Sequence, residues 1–191
     1  MSDAWLEWSG AISGLLSVFL TARRRIACWP VGLVSVTVYG IFFFRLKLYA
    51  DCALQMFFFA TSLYGWWHWA RGGPAQSAAR ITALTWRRRQ WLLVVVAGTA
   101  VGIGSALHYR TDASLPYWDS LAASLSVTAQ WLLMRKNIDT WPLWIAADVL
   151  SIGIYAAKGA IVTTALYAIF LVLAVSGLVS WRRARRRGEL A

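Results

Sequence analysis

The stretch RRRIACWP at residues 23–30 returns as RKNIDTWP at residues 135–142, and the reading of this pair decides how the chain is organised. Sliding the sequence over itself by 112 positions lays Trp29-Pro30 on Trp141-Pro142 and, without a gap, Gly65-x-x-x-Trp69 on Gly177-x-x-x-Trp181. The same offset pairs Glu7 with Asp119, Ala11 with Ala123, Leu20 with Leu132, Arg23 with Arg135 and Arg24 with Lys136. Residues 5–69 and 117–181 therefore read as two copies of one unit. Their identity is low; the shared order of acid, basic turn, Trp-Pro and Gly-x-x-x-Trp carries the relationship.

Outward from these anchors the chain is strongly apolar. Of its 191 residues 59% are hydrophobic and 14% charged, against about 25% charged in soluble proteins, and the mean hydropathy is positive. Apolar runs of membrane-spanning length lie near 5–22, 26–44, 49–70, 89–107, 115–134, 141–157 and 160–181. The first and sixth are the shortest and carry acidic residues. Each copy holds three spans, an odd number, so a second copy in the same direction requires one reversing helix, which 89–107 supplies. The predicted fold is an all-α membrane protein of seven transmembrane helices. Two parallel three-helix repeats flank a linker helix (3+1+3) and are related by an axis along the membrane normal. The divisions are 5–70 for the first repeat, 71–114 for a cytoplasmic loop and linker helix, 115–181 for the second repeat and 182–191 for a basic cytoplasmic tail. Within the linker, Gly98-x-x-x-Gly102 predicts a close helix contact.

The net charge of +11 comes from arginines at span ends: Arg23 to Arg25, Arg87 to Arg89, and the tail from Arg182 to Arg187. That is the positive-inside pattern. An outside amino terminus and a cytoplasmic carboxyl terminus place 15 of the 19 Lys and Arg inside, leaving Arg45, Lys47, Arg110 and Lys158 outside. The basic segments are expected to meet anionic lipid headgroups, not nucleic acid. Positive charge follows the first apolar stretch instead of preceding it, so span one reads as an anchor and not a cleavable signal. Cys28 and Cys52, and likewise His68 and His108, fall on opposite sides, which excludes a disulfide and a His/Cys metal cluster; no metal is expected.

Charge inside a bilayer costs roughly 2.5–3.5 kcal/mol on insertion scales, so an intramembrane acid needs a partner or an aqueous cavity. Asp148 sits about 10 Å along its helix from Trp141 at about 1.5 Å per residue. Trp141, Trp144, Asp148 and Tyr155 share one helical stripe. Together they offer aromatic faces, a carboxylate and a phenol, which suit a planar cationic ring. The competing reading makes Trp141 an interfacial anchor and pairs Asp148 with a donor inside the bundle. Gln55 and Gln130 are further polar candidates, with interhelical hydrogen bonding as their plainer role. The offset sets Gly32 against Trp144, Val36 against Asp148, Val18 against Gln130 and Tyr167 against Gln55, so a site between the halves is asymmetric. Trp66, Trp67, Trp69 and Trp181 read as headgroup anchors, and Glu7, Asp51 and Asp119 as interfacial or structural acids.

At these residues the chain resembles the nicotinamide riboside transporter family, the PnuC-like vitamin and nucleoside permeases that include thiamine and riboflavin members. The resemblance runs over nearly the whole chain: Trp29-Pro30 through Tyr49-Ala50-Asp51, Gln55, Tyr64-Gly65-Trp66, Trp118-Asp119-Ser120, the Arg135-Lys136 turn, Trp141-x-x-Trp144, Tyr155 and Lys158-Gly159. It implies a seven-helix fold like that of the sugar-transporting SWEET proteins and a homotrimer in the bacterial inner membrane. It also implies facilitated diffusion of an unphosphorylated vitamin precursor that a cytoplasmic kinase then traps, with no cofactor. Its substrate contacts carry over to Trp141, Trp144, position 148 and Gln55. Some nicotinamide riboside carriers have Asn where Asp148 stands. Nicotinamide riboside and thiamine both carry a cationic aromatic ring, whereas riboflavin is neutral; nicotinamide riboside is the expected substrate and thiamine the alternative.

An enzyme needs a nucleophile and base, a metal or a phosphate-binding loop within mutual reach. The dispersed acids and distant histidines supply none, so no catalytic residue is assigned. A structural membrane subunit without transport activity is the remaining alternative; it accounts for the repeats but not for Asp148 and Gln55 inside the membrane.

Overall fold

The computed structural model describes residues 4–45, 49–71, 81–111 and 115–189. Lys47 and most of the loop after span three lie outside the described residues, as does the side chain of Asp51. The described residues form seven helices: α1 Ala4–Ala22, α2 Cys28–Arg45, α3 Tyr49–Ala70, α4 Trp86–Arg110, α5 Pro116–Met134, α6 Thr140–Ala157 and α7 Ile161–Glu189. By length and composition α2, α4, α6 and α7 each suffice to cross a membrane. Helix α7 runs past the last apolar residues, so the arginine-rich tail is helical to Glu189.

The turns that follow α1 and α5 share one backbone design. Arg24 N–H donates to the Thr21 carbonyl and Arg25 N–H to that of Leu20, both at 2.9 Å. After α5, Lys136 N–H donates to Leu133 (3.0 Å) and Asn137 N–H to Leu132 (3.1 Å). These paired bonds are the Schellman ending of a helix, and its left-handed residue is Arg24 in one turn (φ 58°) and Lys136 in the other (φ 51°). The next helix starts alike in both, with Trp29 N–H on the Ile26 carbonyl and Trp141 N–H on that of Ile138. Pro30 and Pro142 then fall in the first turn, where a missing N–H costs nothing.

Packing explains why Trp-Pro and Gly-x-x-x-Trp recur together. A methyl group added at Gly65 would collide with the Trp29 ring, and one at Gly177 with the Trp141 ring. The six-membered ring of each indole thus abuts a glycine, Trp29 that of α3 and Trp141 that of α7. Trp29 meets Trp69 edge-on at 5.2 Å, and Trp141 meets Trp181 edge-on at 5.5 Å.

Helix α1 packs against α2 and α7, α2 against α3, α3 against α5, α5 against α6 and α6 against α7, which closes a ring of six. Helix α4 lies outside that ring, on α5. Its close approach is made by Gly104, where a Cβ would stand 2.6 Å from the Tyr117 ring, and not by the expected Gly98 and Gly102, which have open space beside them. The segment leading into α4 is stitched to the α5–α6 turn. Thr82 N–H donates to the Lys136 carbonyl and Ile138 N–H to that of Thr82. Leu84 N–H donates to Asp139 Oδ2 at 2.7 Å, and Arg89 pairs with Asp139 Oδ1 at 2.9 Å.

Candidate functional site

A cavity of about 250 Å³ occupies the centre of the ring, lined by all six ring helices and by no residue of α4. Its walls obey the 112-residue offset: sixteen of its twenty lining residues fall into eight pairs, among them Trp29 with Trp141, Phe58 with Phe170, and Gln55 with Tyr167. The four without a lining counterpart, Gly14, Ser17, Cys28 and Ser35, are small and all belong to α1 and α2. These two helices pack closely: Ser17 Oγ donates to the Cys28 carbonyl (2.8 Å) and Ser35 Oγ to that of Gly10 (2.9 Å). The first half therefore offers room where the second offers side chains.

Five of the six candidate residues from the sequence meet at this cavity: Trp141, Trp144, Asp148, Gln55 and Gln130. Trp141 is 1% exposed and Asp148 5%, and among the described residues no Lys or Arg is paired with Asp148. Trp144 faces Phe58 of the other half, ring centres 6.5 Å apart. Gln130 Nε2 donates to Ser62 Oγ at 3.4 Å, bridging α5 and α3. Tyr155 does not line the cavity; it stacks at 5.4 Å on Tyr167, which does. Tyr167, Phe58 and Trp29 enter the wall although the sequence reading assigned them no ligand role. The pairing of Tyr167 with Gln55 at the common offset was the available signal for the first.

The arginine-rich end of the cavity is sealed by tryptophan. Trp29, Trp69, Trp181 and Trp141 form a continuous chain, with Trp69 and Trp181 6.2 Å apart at its middle. The expectation that Trp69 and Trp181 anchor in headgroups is corrected: they are 6% and 0% exposed, whereas Trp66 and Trp67 are exposed. Each reaches into the opposite half. Trp69 Nε1 donates to the Met134 carbonyl (3.2 Å) and Trp181 Nε1 to that of Thr21 (3.1 Å). The Lys136 ammonium sits 4.7 Å above the Trp69 ring. Burial pushes its pKa below the ordinary lysine value. At the other end Lys158 pairs with Asp119 at 3.3 Å, which gives that acid a structural role.

Residues 4–183 match the family described as nicotinamide mononucleotide transporter. The chain belongs to this family. It is 32% identical to the nicotinamide riboside transporter PnuC of Escherichia coli (strain K12), over 98% of this chain and 90% of that protein. It is 27% identical to the riboflavin/roseoflavin transporter RibM of Streptomyces davaonensis, over 96% of this chain and 87% of that one. The crystal structure of the vitamin B3 transporter PnuC has the same fold, with a TM-score of 0.78 at 23% identity, covering 97% of this chain and 83% of that one. Family membership and the long apolar helices together make the chain a multi-pass membrane protein.

Proposed function

We propose that the chain carries nicotinamide riboside across the bacterial inner membrane. One observation carries the choice between the riboside and its phosphorylated form: among the described residues the cavity wall holds one carboxylate, Asp148, and no Lys or Arg. A mononucleotide would bring its phosphate into a buried space with no cation to pair it, at a cost of several kcal/mol. A riboside brings a cationic pyridinium ring that Asp148 can neutralise and that Trp141 and Trp144 can stack on. Its neutral ribose finds hydroxyl and amide partners in Ser17, Ser62 and Gln55. Thiamine presents the same cationic aromatic chemistry to Asp148 and is the second reading.

The cycle we infer is alternating access of two parallel three-helix repeats, α1–α3 and α5–α7, about the central cavity, with α4 as linker. The arginine-rich end is assigned to the cytoplasm, the amino terminus to the outside, and seven spans to the membrane. The reciprocal Trp69–Met134 and Trp181–Thr21 bonds support this reading. They join the halves at one end, so opening that end to the cytoplasm breaks both. Net uptake then rests on phosphorylation by a cytoplasmic kinase, which supplies pyridine nucleotide synthesis, and the assembly is a homotrimer.

The test is calorimetric titration of detergent-purified protein with nicotinamide riboside, nicotinamide mononucleotide, thiamine and riboflavin. Saturable binding of the riboside, with none of the mononucleotide, is expected. Tighter binding of thiamine moves the assignment to the second reading. No saturable binding of any of the four returns the chain to the structural-subunit class.

A further inference from the structure

A second cavity, of about 300 Å³, lies away from the transport site at the arginine-rich end. Four arginines line it: Arg89 at the start of α4, and Arg182, Arg185 and Arg186 on the helical extension of α7. Among the described residues its one acid, Asp139, is already engaged, accepting from Leu84 N–H and pairing with Arg89 Nη2. These contacts fix Arg89 in place, yet its Nε lies buried with no hydrogen-bond partner among the described residues. Arg182 and Arg186 add their positive charge to the same hollow. Its apolar lining is Ile138, Pro142 and Leu178, the last two on the membrane-spanning helices α6 and α7.

We infer that this cavity binds the phosphate of an anionic phospholipid. Guanidinium forks match phosphate oxygens in pairs, and a basic pocket between helices at the cytoplasmic surface is where such headgroups lodge. The apolar lining distinguishes a lipid from a free phosphate, because Pro142 and Leu178 belong to helices long and apolar enough to span the membrane and can seat the glycerol and first acyl carbons. The site also ties α4 and the α5–α6 turn to the end of α7 through one ligand, so occupancy fastens the linker to the second half. The inference needs only the membrane placement and not the choice of transported substrate.

The test uses the full chain purified in a neutral detergent and titrated with phosphatidylglycerol, the apparent affinity being read from the rise in unfolding temperature. Saturable protection is expected, absent with phosphatidylcholine. Arg182→Gln with Arg186→Gln removes two charge-assisted hydrogen bonds and should weaken the apparent affinity by about tenfold or more. Arg183→Gln with Arg187→Gln removes the same charge from residues that line a different hollow on α7, and should leave the affinity near that of the wild type. Equal weakening by the two double variants would mean diffuse surface charge and overturn the site. So would the absence of saturable protection in the wild type. Equal protection by glycerol phosphate, which has no acyl chain, would overturn the lipid in favour of a soluble phosphate ligand. Riboside binding to the central cavity, measured on the same samples, separates this outcome from failure of the transport reading.

Discussion

Helices α1–α3 and α5–α7 are built on the same frame and lined with different chemistry. The frame comprises the two Schellman turns, the indole on glycine at Trp29–Gly65 and Trp141–Gly177, and the reciprocal tryptophan bonds across the halves. The lining departs where α1 and α2 are set against α5 and α6. Gly32, Val36 and Val18 on one side face a space bounded on the other by Trp144, Asp148 and Gln130. Backbone geometry and large buried contacts tolerate little change, whereas wall positions pointing into a cavity have no packing partner to satisfy. Divergence can therefore concentrate on the wall. A symmetric frame with an asymmetric wall suits a substrate that has an aromatic cationic end and a hydroxylated end.

The largest expected effect comes from erasing that asymmetry at its bulkiest point. Trp144→Ala brings the second half toward the small wall of the first and should weaken riboside binding by about 1–3 kcal/mol, the usual worth of one aromatic stacking face. Calorimetry reads it directly; unchanged affinity would mean that the aromatic wall does not hold the ligand. The frame is tested next by Gly65→Ala and Gly177→Ala. Each forces a methyl group into an indole and should cost about 1–3 kcal/mol of stability, as overpacking does. The comparison sharpens if thermal unfolding shows equal losses, and breaks if one half tolerates the methyl and the other does not. Asp148→Asn is gentler, because the amide keeps an acceptor and gives up the charge. It should cost cationic ligands about 1 kcal/mol, the attraction between a carboxylate and a ring cation about 4 Å apart in a water-filled cavity, and leave neutral riboflavin unaffected. An equal loss for riboflavin would make Asp148 a polar contact only.

The elements were legible in the sequence because apolar runs and a constant offset are one-dimensional signals. The stripe on α6 was equally legible as far as Asp148. Tyr155 lies seven residues further on, about 10 Å along the helix, which carries it past the cavity to stack behind Tyr167. Trp69 and Trp181 were misread because depth alone makes a tryptophan at a span end look like an interfacial anchor. The glycine four residues earlier, present in both copies, was the sign that another indole covers that face. Gly98 and Gly102 show the converse: a pair of small residues describes one surface and says nothing of what packs on it.

The smallest expected effect separates the two turns. Arg24 and Lys136 occupy left-handed backbone that costs a residue with a Cβ about 1–2 kcal/mol, so glycine at either position relieves strain and gives back part of that gain as unfolded-chain entropy. If backbone were the whole account, Arg24→Gly and Lys136→Gly would stabilise the protein equally. Lys136, however, holds its ammonium over Trp69, the indole that bonds across the halves, and a cation on an aromatic face is worth about 0.5–1 kcal/mol. Arg24→Gly should therefore raise the unfolding temperature by more than Lys136→Gly. Equal shifts would mean that the lysine contributes nothing through the ring. A net loss confined to Lys136→Gly would mean that the second turn keeps its side chain for the seal and tolerates the strain to do so.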